Sequence, residues 1–470
     1  MAIGRRDLLK GIAVGAAGGL TVKGAPSDSG AVIFRDVCVL GGGSSGTYTA
    51  VRLRDLGKSV VVVESKGRLG GHCETFHDSV TGGTVDIGVI IFHDLPIVRN
   101  YFSRFNVPLV PFFVNAGVTS YVDYRTGQIV NGYTPPSQQA LGAALGEYFG
   151  ALLQYPYLAS GFDLPDPVPP PLLSPFGAFV SSLGLDAMVQ TVFSFYAEGL
   201  GDLLSLPTIY VMKNFGIQVL TSLFANSFLS VVTPIGTNNS LLYERATAFL
   251  GQDALLSSQV ISVNRHDPNR VQLRVSTPDG QRVIQCSKLV VTFPPLLPNF
   301  QVFDLDAIER SVFTRFSPKY YATAVARLTG IPVDVSVVNV APDTPYNLPP
   351  LPGIYSVYPT GLPNLFNVKY GSSVPLDNNQ VQTNIKADLQ RLTNAGFPVQ
   401  LDSVQPLPVF SSHSPFELTV SAADIASGFY GQLYALQGHK NTFYNGAALH
   451  THDSSLLWEF TERLLPEITA

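Results

Sequence analysis

The chain predicts an α/β fold in which a Rossmann-like sheet is assembled from separated stretches of sequence, with a mixed α+β domain inserted between them. Two observations predict it: a strand, glycine turn, helix and second strand in order from Asp36, and a second strand-rich region from Gln259 to Phe293. Val37-Cys38-Val39-Leu40 is a continuous apolar run, as a parallel strand buried on both faces requires. Gly41 to Gly46 makes the turn, Thr47 to Leu56 the helix, and Ser59 to Val63 returns as the second strand. Farther along, Val271-Gln272-Leu273-Arg274-Val275 alternates apolar and polar, Pro278-Asp279-Gly280 turns the chain, and Lys288-Leu289-Val290-Val291-Thr292 runs back until Pro294-Pro295 stops it.

Composition bounds what such a fold does. Of 470 residues, 46% are hydrophobic and 13% charged, enough apolar surface for about two domains. The formal net charge is −5 and no basic run follows the first residues, which excludes a nucleic-acid partner. Cys38, Cys73 and Cys286 have neither CxxC nor Cys/His spacing, so no metal site and no disulfide framework is indicated, and Cys38 reads as core. Residues 1–30 read as an export leader: Arg5-Arg6-Asp7-Leu8-Leu9-Lys10 precedes an apolar small-residue segment too short for a transmembrane span, and the paired arginines resemble a twin-arginine signal; the alternatives are an ordinary secretory signal and, where the leader is not read, a cytoplasmic chain. The fold is expected to begin near Arg35.

Gly41-Gly42-Gly43-Ser44-Ser45-Gly46 satisfies GxGxxG in the context that gives the motif meaning, after an apolar strand and at a helix start. Gly41 permits the tight turn, Gly43 lets backbone approach a pyrophosphate, and Gly46 lets helix and strand pack closely, while the first amides of the helix, at Ser44 and Ser45, face the phosphates. Glu64, eighteen residues past Gly46 at the end of Val60-Val61-Val62-Val63, is placed to accept hydrogen bonds from ribose hydroxyls. Arg68-Leu69-Gly70-Gly71-His72 then supplies a basic residue and a glycine pair.

From this point the sequence resembles the flavin-containing amine oxidase superfamily, and the resemblance implies FAD rather than NAD. Asp86-Ile87-Gly88 is similar to the family's flavin-side segment, Gln259-Val260-Ile261 to the strand that touches adenine, and Asn441-Thr442-Phe443-Tyr444-Asn445-Gly446-Ala447 to its C-terminal strand and glycine turn. The implied cofactor contacts add Arg68, Gly70, Gly71, His72, Val260 and Gly446, with Ser455 and Leu456 at the start of the last helix supporting the pyrimidine end. Independently of any family, Asp453 is suited to cap a helix over Ser454 to Leu465, whose dipole faces an anion such as reduced flavin. The domain organisation that follows is an FAD-binding domain in three parts, 31–100, 241–298 and 431–470, with substrate-domain segments at 101–240 and 299–430. Within the first insert, helices are expected at 138–153 and 176–195.

Departures from the family pattern narrow the chemistry. Leu456 stands where a cage aromatic is usual, and Leu296-Leu297-Pro298-Asn299-Phe300 offers no flavin-facing lysine; Lys319 lies too far along to be assigned. His72 replaces an arginine and Ala447 an acidic residue. These changes argue against a simple primary amine substrate. Gly70-Gly71-His72, Ile91-Phe92-His93-Asp94 and His450-Thr451-His452-Asp453-Ser454-Ser455 resemble the β-cyclopiazonate dehydrogenase-like flavoproteins of fungal secondary metabolism, while Leu206-Pro207-Thr208-Ile209-Tyr210-Val211 is similar to the bacterial polyunsaturated fatty acid isomerase. The implied activity is hydride abstraction from an activated carbon of a hydrophobic small molecule, with oxidation or ring closure. The alternatives are double-bond isomerisation, amine oxidation and a flavin that does no chemistry. No catalytic base is identified; His93, Tyr444 and His452 are the candidates, none with metal-site spacing. Phe92, Phe193, Phe195, Tyr196 and Tyr444 are candidate pocket walls, each equally readable as core. No cysteine lies near the C-terminal motif, so FAD is expected to be held without a cysteinyl bond.

Overall fold

The computed structural model describes residues 32–112 and 117–470; the leader reading falls on residues outside these. The first sheet places five short parallel strands side by side in the order Ala254–Leu255, Val60–Val63, Val32–Leu40, the C-terminal half of Gly280–Val291, and Thr442–Tyr444. The outer half of Gly280–Val291 turns back through Arg270–Thr277 and Gln259–Asp267 as an antiparallel meander. Three separated parts of the sequence therefore build one sheet. The first strand begins at Val32, earlier than the apolar run suggests, and its early residues alternate with solvent before Val37 to Leu40 become fully buried.

Helix Ser44–Asp55 crosses between the first two strands and packs on the last helix, Ser454–Thr469. Tyr48 stacks on Trp458 at 5.6 Å, and the Tyr48 hydroxyl and the Arg52 Nε both donate to Glu462, at 2.7 and 2.6 Å. The last helix runs past the expected Leu465: Pro466 falls in its final turn, where the missing N–H costs one hydrogen bond and the flanking Leu464, Leu465 and Ile468 remain buried.

A second sheet crosses the inserted regions. Its order is Gln400–Leu401, Tyr320–Thr329, Leu365–Ser372, Gly353–Pro359, Val335–Asn339, Val118–Asp123 and Gln128–Ile129, with Val409–Ser412 also paired to Tyr320–Thr329. Ala322, Ala324 and Ala326 point to one face and pack with Val381, Ile385, Leu389 and Leu392 of helix Asn378–Asn394. On the opposite face Val325 and Leu365 meet Val85 and Ile87, on and just after strand Thr84–Asp86, which forms a separate small sheet with Thr75–His77, Gly236–Thr237 and Val232–Thr233. A helical layer, including Gln138–Leu152, covers the remainder. The single helix expected at 176–195 is two, Phe176–Leu183 and Asp186–Phe195, because Gly184 takes a left-handed conformation (φ 66°) and ends the first. All three cysteines are buried and free. Among the described residues, no helix is long and apolar enough to cross a membrane.

Candidate functional site

The glycine turn is shaped by close approach. Gly41 has φ 98° and its amide donates to the Val63 carbonyl at 2.9 Å, tying the turn to the second strand. A Cβ on Gly46 would lie 1.9 Å from the Gly41 carbonyl oxygen, so only glycine fits where helix meets strand. Gly43 is the N-cap and supplies no side-chain acceptor, which leaves the first amides of the helix free for an anion. The serine side chains are engaged within the protein: Ser44 Oγ receives the Trp458 Nε1–H at 3.0 Å and the Tyr243 hydroxyl at 3.1 Å, and Ser45 is buried.

Glu64 is 7% exposed, and its carboxylate is held from both sides, Oε2 accepting the Gly42 amide and Oε1 the Lys66 amide, each at 2.6 Å. The Gly70-Gly71 loop closes over the turn. The Gly70 amide donates to the Gly42 carbonyl at 2.8 Å, and a Cβ on Gly71 would stand 2.8 Å from Gly43 Cα. Arg68 holds the loop rather than facing outward, donating to the carbonyls of Gly71 and Cys73, both at 3.1 Å, and pairing with Glu74. Two side-chain-free glycine segments, an uncapped helix start and an oriented carboxylate are the donor and acceptor set that the ADP half of FAD requires.

His72 lies beyond this cradle. Gly88 presses against it so closely that a Cβ there would be 1.7 Å from the His72 carbonyl oxygen. The His72 ring stacks on His413 at 4.3 Å; Phe416 follows at 6.1 Å and itself stacks on His452 at 3.8 Å. His452 Nε2 is 3.3 Å from the Glu417 carboxylate. Burial, reinforced by the charges of His452, Lys66 and Arg68, holds His72 down at about 3. His413 is likewise held well below the ordinary imidazole range, first by burial and then by its neighbours, so both rings are neutral at physiological pH. Asp86, in the neighbouring segment, is pushed up to about 6 by burial although Thr75, Asn239 and Thr237 donate to it.

His93 does not stand with these rings. Its Nδ1 is 2.8 Å from Ser222 Oγ, its amide donates to Ser455 Oγ at 3.2 Å, and Nε2 faces Asp453 Oδ2 at 3.1 Å as an ion pair rather than an aligned hydrogen bond. Burial pulls its pKa down, but the Asp453 charge more than reverses this and the net shift is upward. Asp453 caps the last helix as expected, accepting the Leu456 amide at 3.0 Å. The pair clamps the helix start, and Ser455 and Leu456 are buried beside it.

Tyr444 is placed elsewhere again. Its hydroxyl donates to Glu309 at 2.8 Å, within a buried cluster where Glu309 makes a two-point pair with Arg265 at 2.6 and 2.9 Å. Burial and Glu309 raise the phenol well above its usual range. Asp306, Glu309 and His439 come close enough together to suggest a cation site, but Asp306 caps helix Ala307–Phe313, His439 bonds Asp306, and both Glu309 oxygens are taken by Arg265. Val260 is half-buried in the meander opposite Val275, and Gly446 (φ 125°) turns against Thr292. Phe92 packs between Phe102 and Trp458, Phe193 lies on Tyr355 at 4.8 Å, Tyr196 on Phe215 at 4.6 Å, and Phe195 is exposed. Sequence reasoning missed His413 and Phe416, whose link to His72 carries no local signal. It also missed Lys213, whose ammonium donates to the carbonyls of Leu158 and Gly161 and sits 2.6 Å from His450 Nδ1, which settles His450 as a structural partner.

The matched profile and this geometry agree. Residues 44–304 match the flavin containing amine oxidoreductase family, and the chain belongs to it: it is an FAD-dependent oxidoreductase. The chain is 38% identical over 452 residues to the FAD-dependent oxidoreductase dbaF of Emericella nidulans, covering 94% of this chain and 93% of that one. It is 35% identical over 447 residues to the beta-cyclopiazonate dehydrogenase of Aspergillus oryzae, covering 94% and 95%. Among solved structures, the fatty acid isomerase from P. acnes superposes with a TM-score of 0.75 at 18% identity, over 93% of this chain and 99% of that one, and putrescine oxidase with 0.64 at 15%, over the same shares.

Proposed function

We propose that this oxidoreductase removes a hydride from an allylic, benzylic or heteroatom-bearing carbon of a largely apolar small molecule in secondary metabolism, ring closure being one fate of the product. The observation that carries the reading is the stack of His72, His413, Phe416 and His452 against the glycine loops. Two of its imidazoles, those of the half-buried His72 and the buried His413, are neutral, with pKa values far below 7, so neither serves as a base near neutral pH. Such a wall suits a reaction in which the substrate itself stabilises the charge left by hydride loss. FAD, when bound, supplies the two-electron acceptor. The chain's own work is to hold the reacting C–H in line and to exclude water. The likeness to a beta-cyclopiazonate dehydrogenase over nearly the whole chain supports an oxidised natural product as outcome. The domain boundaries given above and the export of the chain, which rests on the basic head Arg5 to Lys10 and the small-residue apolar segment after it, are part of the same proposal.

Anaerobic addition of candidate hydrophobic substrates tests it. The true substrate bleaches the yellow absorbance and yields a product lighter by two hydrogens. A product of unchanged mass assigns double-bond isomerisation instead, and a flavin bleached only by amines returns the chain to amine oxidation.

A further inference from the structure

The sheet face that turns toward the flavin segment is polar where a buried sheet face is ordinarily apolar. One row crosses four strands: Ser411 pairs with Thr323, Thr323 with Lys369, and Lys369 with Ser356. All four are buried, at 6%, 0%, 3% and 0% exposure. The next row adds Asn367 opposite Tyr358, and His413 follows Ser411 on the adjoining strand. Thr323 Oγ1, Ser356 Oγ, Asn367 Oδ1 and His413 Nε2 have no hydrogen-bond partner among the described residues.

Lys369 has none either. Its Nζ lies 5.9 Å from the Tyr321 ring and 6.0 Å from the Tyr358 ring. Glu198 is the nearby carboxylate, but it accepts the hydroxyls of Tyr321 and Tyr358, at 2.8 and 2.6 Å, rather than pairing with the ammonium. Buried polar groups without partners are costly, and a row of them around an unpaired ammonium marks a place for a ligand. The row reaches the cofactor segment directly: Ser411 Oγ donates to Glu74 at 2.9 Å, and His413 stacks on His72.

We infer that this face is a recognition site for an anionic oxygen of the substrate, with Lys369 as its charged donor and the Thr323 and Ser356 hydroxyls donating beside it. The inference deepens the proposed function by giving the apolar substrate one acidic end, a carboxylate or the enolate of a 1,3-dicarbonyl. Burial holds the Lys369 pKa below the ordinary lysine range against the opposing pull of Glu198, the condition in which an incoming anion gains most. Lys369 thus acts as a specificity residue. No step of bond making is assigned to it.

The test is binding to the FAD-loaded protein, read by calorimetry and by perturbation of the flavin spectrum. Three probes are used: benzoate as a carboxylate, dimedone as a 1,3-dicarbonyl enolate, and methyl benzoate as a neutral control. Benzoate or dimedone binds at least tenfold more tightly than methyl benzoate, and whichever binds names the acidic group. Lys369→Met abolishes that preference with flavin content unchanged, while Lys386→Met, on the exposed side of the outer helix, leaves it intact. Equal binding of all three probes, no binding of any, or an undiminished preference in Lys369→Met overturns the inference. Bleaching reports separately on the proposed reaction: a substrate that bleaches Lys369→Met as tightly as wild type sinks this site alone, and an anion preference without any bleaching substrate sinks the reaction alone.

Discussion

Gly43 and Gly46 share a motif but are constrained by different neighbours. A Cβ at Gly43 meets only Gly71 Cα, at 3.9 Å, an ordinary contact, whereas a Cβ at Gly46 would overlap the Gly41 carbonyl. Gly43→Val is therefore expected to fold with unchanged circular dichroism while its flavin content drops at least tenfold. Gly46→Val should lose about 3 kcal/mol of stability or fail to fold, because helix and strand must separate. Denaturant titration alongside flavin absorbance distinguishes the two. The close packing at Gly46 was legible in the sequence, since turn, helix and returning strand are neighbours along the chain, while the pyrophosphate contact expected at Gly43 is what the flavin content decides. The His72 stack was not legible, because His413 and Phe416 reach it only through the pairing of distant strands, and no periodicity records that. Lys369 was hidden for the same reason: in sequence it reads as one polar residue in an alternating strand.

The last helix shows how an element is anchored. Asp453 performs two tasks, capping through Oδ1 and pairing with His93 through Oδ2. Asp453→Asn keeps a good cap and removes only the charge. His93 has a raised pKa in the folded state, so its contribution is complete below the unfolded value of about 6.5 and is lost as pH rises through the higher folded value. Asp453 has a lowered one: burial raises it, but His93 and the helix amides more than compensate, so its contribution is lost only as pH falls through that low value. Asp453→Asn should therefore cost about 2 kcal/mol near pH 6, and the difference from wild type should shrink in alkaline buffer. A pH-independent difference in melting temperature would remove the ion pair from the account. The cap itself was readable from Asp453 and the apolar spacing behind it, but the partner was not; His93 looked like a catalytic candidate because its sequence context shows proximity to the flavin segment and nothing of Ser222 or Asp453.

At the scale of the molecule, function depends on holding the polar face of the second sheet against the cofactor cradle. Arg327 of the second sheet reaches Asp78 beside the flavin segment at 2.7 Å, with side chains only 12% and 2% exposed. Removing one member leaves a buried charge without its partner, so Asp78→Ala should lose about 3 kcal/mol. Flavin release should accompany that loss at lower denaturant than in wild type. The first two parts of the first sheet were legible because each carries its own apolar strands and turn residues, whereas the third, Thr442–Tyr444, was reached only through the family resemblance. The course of the second sheet was not, since short strands between proline-rich loops do not announce their neighbours.

The most direct test of the central claim, that the two glycine segments and Glu64 together hold FAD, is the visible spectrum of the purified protein and of Glu64→Ala, with mass analysis of what each releases on denaturation. The wild type should be yellow and release one FAD per chain, and the variant should be nearly colourless with an unchanged fold. A wild type that stays colourless after incubation with FAD, or a variant that retains its full complement, would contradict the claim.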